Sequence, residues 1–261
     1  MAPTIDTTDL KDLLVAAASD GDVRPSTAAL LTDASTLAQI KRGDGISAGG
    51  YTRSDVYIVT LLVDDSGSIG KNGNDKAVCQ GHNEILDALL GTKKRDGTIV
   101  STRLLNGTVV SPYVMLERAP RLELGRNFSA DGITPLRDQM MVTLGSVLAK
   151  AREFEDAGIV VRTWTMVLTD GCDYGSMKAS AADVAQLAKS LNSEQHQLLC
   201  LGVSDGQTDF DTEFRNLGIE RILTSTNDPS AIRKMLRLAS QSAAAMNQPT
   251  AAGGGLGGFG V

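Results

Sequence analysis

Three short segments gather oxygen-bearing side chains. Asp64-Asp65-Ser66-Gly67-Ser68 follows an apolar run, Asp131-Gly132-Ile133-Thr134-Pro135-Leu136 precedes a helical pattern, and Thr169-Asp170-Gly171 closes a second apolar run. Carboxylates and hydroxyls are hard donors, and they suit a small hard cation. Mg²⁺ takes about six oxygens in octahedral geometry and gives up water reluctantly. Ser66, Ser68 and Thr134 offer neutral hydroxyls; Asp64 and Asp170 offer carboxylates, directly or through water. Ser66 and Ser68 stand two apart, so both can point at one ion if Gly67 relaxes the backbone between them. An ion held mostly by neutral hydroxyls keeps much of its positive charge, and an open position on it attracts a carboxylate from outside. None of the three segments carries a histidine or a spare general base. The pattern therefore predicts a binding device and not an enzyme.

The elements around these segments must bring them together. Val56–Val63 is apolar on both faces and rich in β-branched residues, which signals a central parallel strand covered on both sides. Strands are also predicted at Thr98–Leu105, Val109–Leu116, Val160–Leu168, Gln197–Val203 and Arg221–Thr224, with Asn106-Gly107 as a hairpin turn. Helical spacing predicts helices at Ala77–Leu90, Pro135–Phe154, Ser180–Leu191, Phe210–Leu217 and Pro229–Met246. Alternating strands and helices give a doubly wound, mostly parallel α/β sheet with one antiparallel edge strand and helices on both faces. In such sheets ligands bind beyond the carboxyl ends of the strands, where all three segments fall.

The first fifty residues read as a separate appendage, helical or partly extended, with helical patterns at Asp9–Ala18 and from Pro25 to about Arg42, packing on the main domain or on a partner. Asp20-Gly21-Asp22 stops the first of these. Residues 51–246 form the main domain. Residues 247–261, dense in glycine, read as a flexible tail whose Leu256, Phe259 and Val261 are candidate anchors for a partner.

Other chemistries fail on the residues. Gly70-Lys71 is followed by Asn72, and Asp65 stands where a phosphate-binding loop needs its first glycine. Ser66 occupies the first glycine position of a hydrolase elbow around Ser68. A phosphoacceptor receiver would need a lysine after the Cys200–Val203 strand, where Ser204-Asp205 stands. His82 and His196 read as surface or helix-end residues. Cys79, Cys200, Trp164 and Met166 read as core; Cys172, near the site, reads as a small buried hydrophobe, with a redox-sensitive rim thiol as the alternative.

The combination of D-x-S-x-S, a threonine in G-x-T-P-L, and T-D-G resembles a von Willebrand factor A (vWA) domain carrying a complete metal-ion-dependent adhesion site (MIDAS). Asp64, Ser66 and Ser68, Thr134, and Asp170 match that pattern in order, and the resemblance covers roughly residues 54–245. It implies a six-stranded sheet, Mg²⁺ or Mn²⁺ as the ion, and contact through the metal with an acidic residue of a protein partner. It also implies that the two serines and the threonine touch the ion while the aspartates often act through water. Paired glycines often precede the threonine in the family; Asp131-Gly132-Ile133 departs from this. The Ser-Gln-Ser-Ala stretch at Ser240–Ala243 resembles bacterial, intracellular members, some of which work beside AAA-type ATPases.

Composition narrows the partners. Twenty-five basic against 31 acidic residues leave a net charge of −6, so the broad basic footprint of a nucleic-acid binder is missing. No apolar run reaches the roughly 20 residues of a membrane span. The N-terminus lacks the pattern of a secretory signal, and three scattered cysteines form no disulfide framework. The expectation is a cytoplasmic interaction module. Its rival is a metal-independent scaffold in which the same residues brace the loops while the appendage and tail drive assembly.

Overall fold

The computed structural model describes residues 6–19 and 23–247. Six strands form one sheet: β1 (Asp55–Val63), β2 (Thr98–Leu104), β3 (Val109–Met115), β4 (Val160–Thr169), β5 (His196–Val203) and β6 (Arg221–Ser225). Their order is β3-β2-β1-β4-β5-β6. Every pair is parallel except β2–β3, which is antiparallel. The mostly parallel sheet with one antiparallel edge strand agrees with the expectation from sequence.

Strand β1 lies at the middle and shows why its sequence is apolar throughout. Tyr57, Val59, Leu61 and Val63 face a core shared with Trp164, Met166 and Leu168 of β4 and with helices α5 (Asp75–Leu90) and α9 (Pro229–Met246). Val56, Ile58 and Leu62 face the other side, where helix α6 (Leu136–Asp156) runs. Period-2 alternation thus sends successive side chains into two separate cores. Helices α7 (Ala181–Ser190) and α8 (Phe210–Asn216) complete the α6 face.

The N-terminal segment is helical: α1 (Thr7–Ser19), α2 (Pro25–Leu31) and α3 (Ala34–Arg42). The single pattern expected from Pro25 to Arg42 is therefore two helices. Asp33 divides them, because its carboxylate accepts hydrogen bonds from the backbone N–H of Ser35 and Thr36 and so starts a new helix. Leu14, Leu31, Leu37 and Ile40 are buried with Met140, Leu144 and Val147 of α6. Gly145 permits that approach: a Cβ there would lie 2.6 Å from Leu31 Cδ2 and 3.1 Å from Ile40 Cδ1. Two buried cations fasten the segment. Arg103 Nη2 donates to the carbonyls of Gln39 (2.8 Å) and Ile40 (3.2 Å) at the end of α3. Lys150 Nζ, on α6, donates to Asp44 (2.5 Å), to the Ile46 carbonyl (2.9 Å) and to Glu153 (2.7 Å).

Two single-residue expectations are corrected. His82 is buried, and its Nε2 lies 3.0 Å from Thr102 Oγ1 on β2. It follows Val78 by four and precedes Ile85 and Leu86, so it belongs to the apolar stripe of α5. Cys172 is exposed, because the chain has already left the sheet at Thr169; its Sγ lies 3.1 Å from Thr208 Oγ1. Cys79, Cys200, Trp164 and Met166 are buried as expected. The Asp20-Gly21-Asp22 stop and the glycine-dense tail from residue 248 onward lie outside the described residues.

Candidate functional site

β1 and β4 are neighbours in register, with Val63 opposite Leu168. The two chains therefore leave the sheet side by side, and the Asp64 N–H donates to the Leu168 carbonyl at 3.0 Å. This places Asp64-x-Ser66-x-Ser68 against Thr169-Asp170, although about a hundred residues separate them in sequence. Strand order also reverses here, since β1 connects onward to β2 on one side and is flanked by β4 on the other. That is the switch point at which open α/β sheets form their ligand crevice.

Asp64 organises the base of the cluster. Its Oδ1 accepts from the Ser66 N–H (2.7 Å), and its Oδ2 accepts from Thr169 Oγ1 (2.6 Å) and the Asp170 N–H (3.2 Å). Both oxygens of this buried carboxylate are thus committed to protein donors. After Ser66 the chain turns into a short helix, α4 (Gly67–Lys71), which the sequence pattern did not reveal because it holds only five residues. The turn directs two hydroxyls to one place: Ser66 Oγ lies 2.9 Å from Ser68 Oγ. Asp170 Oδ1 accepts from Ser68 Oγ at 2.6 Å and from Ser66 Oγ at 3.3 Å. Asp170 Oδ2 is buried without a hydrogen-bond partner. Burial pushes the Asp170 carboxyl up to about 6, opposed by its hydrogen bonds from Ser68 and Ser66.

Thr134 arrives on the third segment, laced to both others through the backbone. The Gly132 N–H donates to the Asp65 carbonyl (2.9 Å), and the Gly67 N–H donates back to the Gly132 carbonyl (3.0 Å). On the other side the Tyr174 N–H donates to the Thr134 carbonyl at 2.7 Å. Thr134 is buried and stands two residues before α6. A side chain in place of the Gly132 hydrogen would put its Cβ 3.3 Å from the Asp65 carbonyl oxygen, so this glycine keeps the two loops close.

Asp65 sits at the back of the cluster. Its Oδ1 accepts from the Asn106 N–H (3.0 Å), and its Oδ2 is buried without a partner. Burial pushes it, too, up to about 6, helped by the neighbouring Asp64. Two further residues fix the rim: Asp173, which its place three residues past Asp170 already marks, and Asp138, which the motif does not include. Asp138 accepts from three successive N–H groups, those of Met177 (2.8 Å), Lys178 (3.1 Å) and Ala179 (2.8 Å). Asp173 accepts from the Arg137 N–H (2.9 Å) and Arg137 Nη2 (2.6 Å), and from the Ser176 hydroxyl. The loop after β4 and the first turn of α6 therefore cap each other. Motifs of this kind need tertiary contact, and sequence spacing does not announce it.

Among the described residues, no group of three or more His, Cys, Asp or Glu side chains is arranged to hold a metal ion. What the structure assembles is a mixed set of two hydroxyls and one carboxylate in mutual contact, with a second carboxylate beneath and a threonine alongside. No helix among these residues is long and apolar enough to cross a membrane.

No protein-family model and no curated protein sequence matches the chain. Among solved structures it resembles the pilus adhesin SpaC from Lactobacillus rhamnosus GG, at 14% identity and a TM-score of 0.50 over 74% of this chain and 31% of that one. It also aligns with the SpRpn10 VWA domain, at 11% identity and a TM-score of 0.47 over 69% and 94% of the two chains. Proximal thread matrix protein 1 from the mussel byssus, in a structure with a zinc-occupied MIDAS motif, aligns at 18% identity and a TM-score of 0.43 over 72% and 46%. The match to the adhesin is one of fold, and this chain spans less than a third of that protein's length.

Proposed function

We propose that this chain is a metal-dependent protein-interaction module. Ser66, Ser68 and Thr134 would hold a Mg²⁺ or Mn²⁺ ion through their hydroxyls, with Asp170 and Asp64 behind them. The observation that carries this reading is the buried Asp170 carboxylate. One oxygen already gathers both serine hydroxyls, while the other has no protein donor. An orphaned carboxylate oxygen beside converging hydroxyls is costly in a protein that offers it nothing, and a hard cation is the partner such oxygens satisfy. When bound, the ion supplies positive charge and an open coordination position to a carboxylate from outside.

This chain's residues divide the work. Ser66 and Ser68 contribute neutral oxygens, so they do not cancel the charge that draws the outside acid. Asp64 keeps the Ser66 loop and the Thr169-Asp170 turn in fixed relation, and any action on the ion runs through water or through that positioning. In this reading the carboxylates of the cluster serve binding and positioning, and we assign the chain no enzymatic turnover. The remaining proposals have two sources: the acidic charge balance argues against a nucleic-acid partner and the lack of a long apolar run against a membrane span, while the resemblance to bacterial intracellular vWA proteins supplies a cytoplasmic setting and, last, an AAA-type ATPase as one partner class. The Ser240–Ala243 stretch behind the last of these packs Ser240 and Ala243 into the core, where the Tyr57 hydroxyl donates to the Ala243 carbonyl at 2.9 Å.

One observation favours a second reading, that of a metal-independent brace. Ser66, Ser68 and Asp170 already satisfy most of one another's hydrogen bonds without an ion. Mn²⁺ binding followed by electron paramagnetic resonance separates the two. The metal reading expects one site per chain, lost in Ser68→Ala with the fold retained, and capture of a native partner that chelator abolishes. The brace reading expects no site and capture that survives chelation. Ser68 is the better probe than Asp64, because Asp64→Ala would strand three donors and confound binding with folding.

A further inference from the structure

Seven large apolar side chains are exposed among the described residues, and three stand on the rim of the candidate site: Ile133 (56% exposed), Tyr174 (75%) and Met177 (91%). The other four lie elsewhere: Val15 on α1, Leu124 in the loop after β3, Val160 at the far end of β4, and Leu238 on α9. Single exposed apolar residues are ordinary, but a contiguous set beside a binding site marks an interaction surface.

These three are held together by structure. Ile133 immediately precedes Thr134. Tyr174 is hydrogen-bonded to Thr134 through the backbone at 2.7 Å. Gly175 lies against Ile133: a Cβ built there would be 3.0 Å from Ile133 Cδ1, and its φ of +106° favours glycine. The Met177 N–H is one of the three gripped by Asp138, at 2.8 Å. Backbone hydrogen bonds thus hold Tyr174 and Met177 directly and Ile133 through its neighbours Gly132 and Thr134, while all three side chains are exposed.

We propose that Ile133, Tyr174 and Met177 form an apolar collar that reads the residues flanking a partner's metal-seeking acid. Its occupant is a protein segment with Asp or Glu next to, or two positions from, a large aliphatic or aromatic residue. This rests on the metal-dependent reading above. Two features argue for that occupant. The cluster itself is rich in carboxylates (Asp64, Asp65, Asp170), so a bare acidic segment gains attraction only through the ion, and affinity beyond that single contact has to come from uncharged surface. The collar begins one residue from Thr134, so the apolar group it receives sits close in sequence to the acid. A few anchors carry most of the energy of an interface; Tyr is prominent among them, and the flexible thioether of Met adapts to the apolar group it meets.

The experiment selects a displayed library of random dodecapeptides on the full chain in Mg²⁺ and elutes with chelator. Peptides carrying Asp or Glu within two positions of Leu, Ile, Met, Phe, Tyr or Trp are expected to be enriched over their share of the acid-bearing peptides in the unselected library. A synthetic peptide from that set should bind the Tyr174→Ser/Met177→Ser double variant at least about tenfold more weakly, as loss of two anchors implies. That variant should bind Mn²⁺ with unchanged affinity, because neither side chain belongs to the cluster. Selected peptides with an acid but no apolar neighbour, equal binding by the double variant, or no chelator-eluted peptides from a chain that still binds Mn²⁺ would each overturn the collar and leave the metal reading standing. Failure of the unaltered chain to bind Mn²⁺ would instead remove the metal reading, and the collar with it.

Discussion

Acidification should loosen the proposed ion by an amount that the burial of Asp170 sets. In the metal-free cluster this carboxyl is pushed up to about 6 by burial, against an ordinary carboxylate near 4. A cation requires the ionised form, so protons and metal compete for it. A group with a pKa of about 6 is nearly all ionised at about pH 7.5 and about nine-tenths protonated at about pH 5, so affinity should fall about tenfold across that interval. At about pH 6 each ion bound should release about half a proton from Asp170. Isothermal titration of Mn²⁺ in two buffers of different ionisation enthalpy measures both quantities. Asp65 is also pushed up to about 6 and titrates over the same range without touching the proposed ion. Asp65→Asn should therefore keep most of the slope, whereas Asp170→Asn should weaken binding at neutral pH and flatten what remains. Affinity that is level from about pH 7.5 to about pH 5 in the unaltered chain, or a slope that persists in Asp170→Asn, would refute the assignment of Asp170 to the ion.

The other predictions follow from the same contacts. Mg²⁺ at a hundred times its Kd should stabilise the fold by about 2.7 kcal/mol and raise Tm by about 5–10 °C, an effect absent in Ser68→Ala by scanning calorimetry. Burial pushes His82 down to about 4. The unfolded chain therefore takes up a proton below about pH 6.5 that the folded chain refuses until about pH 4, which removes up to about 3 kcal/mol as pH falls through that window. Asp65 and Asp170, raised in the fold, act with the opposite sign, so the test is the difference in urea midpoints between the unaltered chain and His82→Gln at neutral and acid pH; an unchanged difference refutes it. Lys150, 2% exposed and bonded to Asp44 and Glu153, pins the N-terminal segment; Lys150→Met should cost about 3–5 kcal/mol in a denaturant titration, because the carboxylates stay buried when their cation goes.

Much of the architecture was legible because burial on both faces leaves an uninterrupted apolar run. Val56–Val63 and Val160–Leu168 could only be interior strands, and the residues after each had to fall at the ligand-binding end of a parallel sheet. The three-part motif puts Asp64, Ser66, Ser68, Thr134 and Asp170 in one neighbourhood, and the fold brings Asp64, Ser66, Ser68 and Asp170 into direct contact. What stayed hidden depends on register and on loops. Nothing in Asp64-Asp65 says that Asp64 spends both oxygens on backbone and hydroxyl donors while Asp65 points one toward Asn106. His82 reads as a surface residue by type alone, yet its spacing from Val78 and Ile85 puts it on the buried stripe. Asp33 carried a visible cap signal inside what looked like one helix.

The division between positioning and binding within the cluster follows from those hidden contacts. A carboxylate with both oxygens engaged by neighbours is a structural element first, whatever its place in a motif, and Asp64 is in that condition. Asp170 differs from it by one unpartnered oxygen, and on the metal-dependent reading that oxygen is the point at which fold stability and ligand affinity would trade against each other. Buried polar atoms left unsatisfied lower stability, and sites that need a ligand to satisfy them are stabilised when it arrives. Asp138 and Asp173 show the complementary arrangement: their carboxylates accept hydrogen bonds from within the chain, across the loop whose Tyr174 and Met177 are exposed. The same end of the sheet thus combines an undersatisfied carboxylate with an oversupported apolar rim. A brace would need neither, since a brace is best served by complete hydrogen bonding and by apolar side chains turned inward.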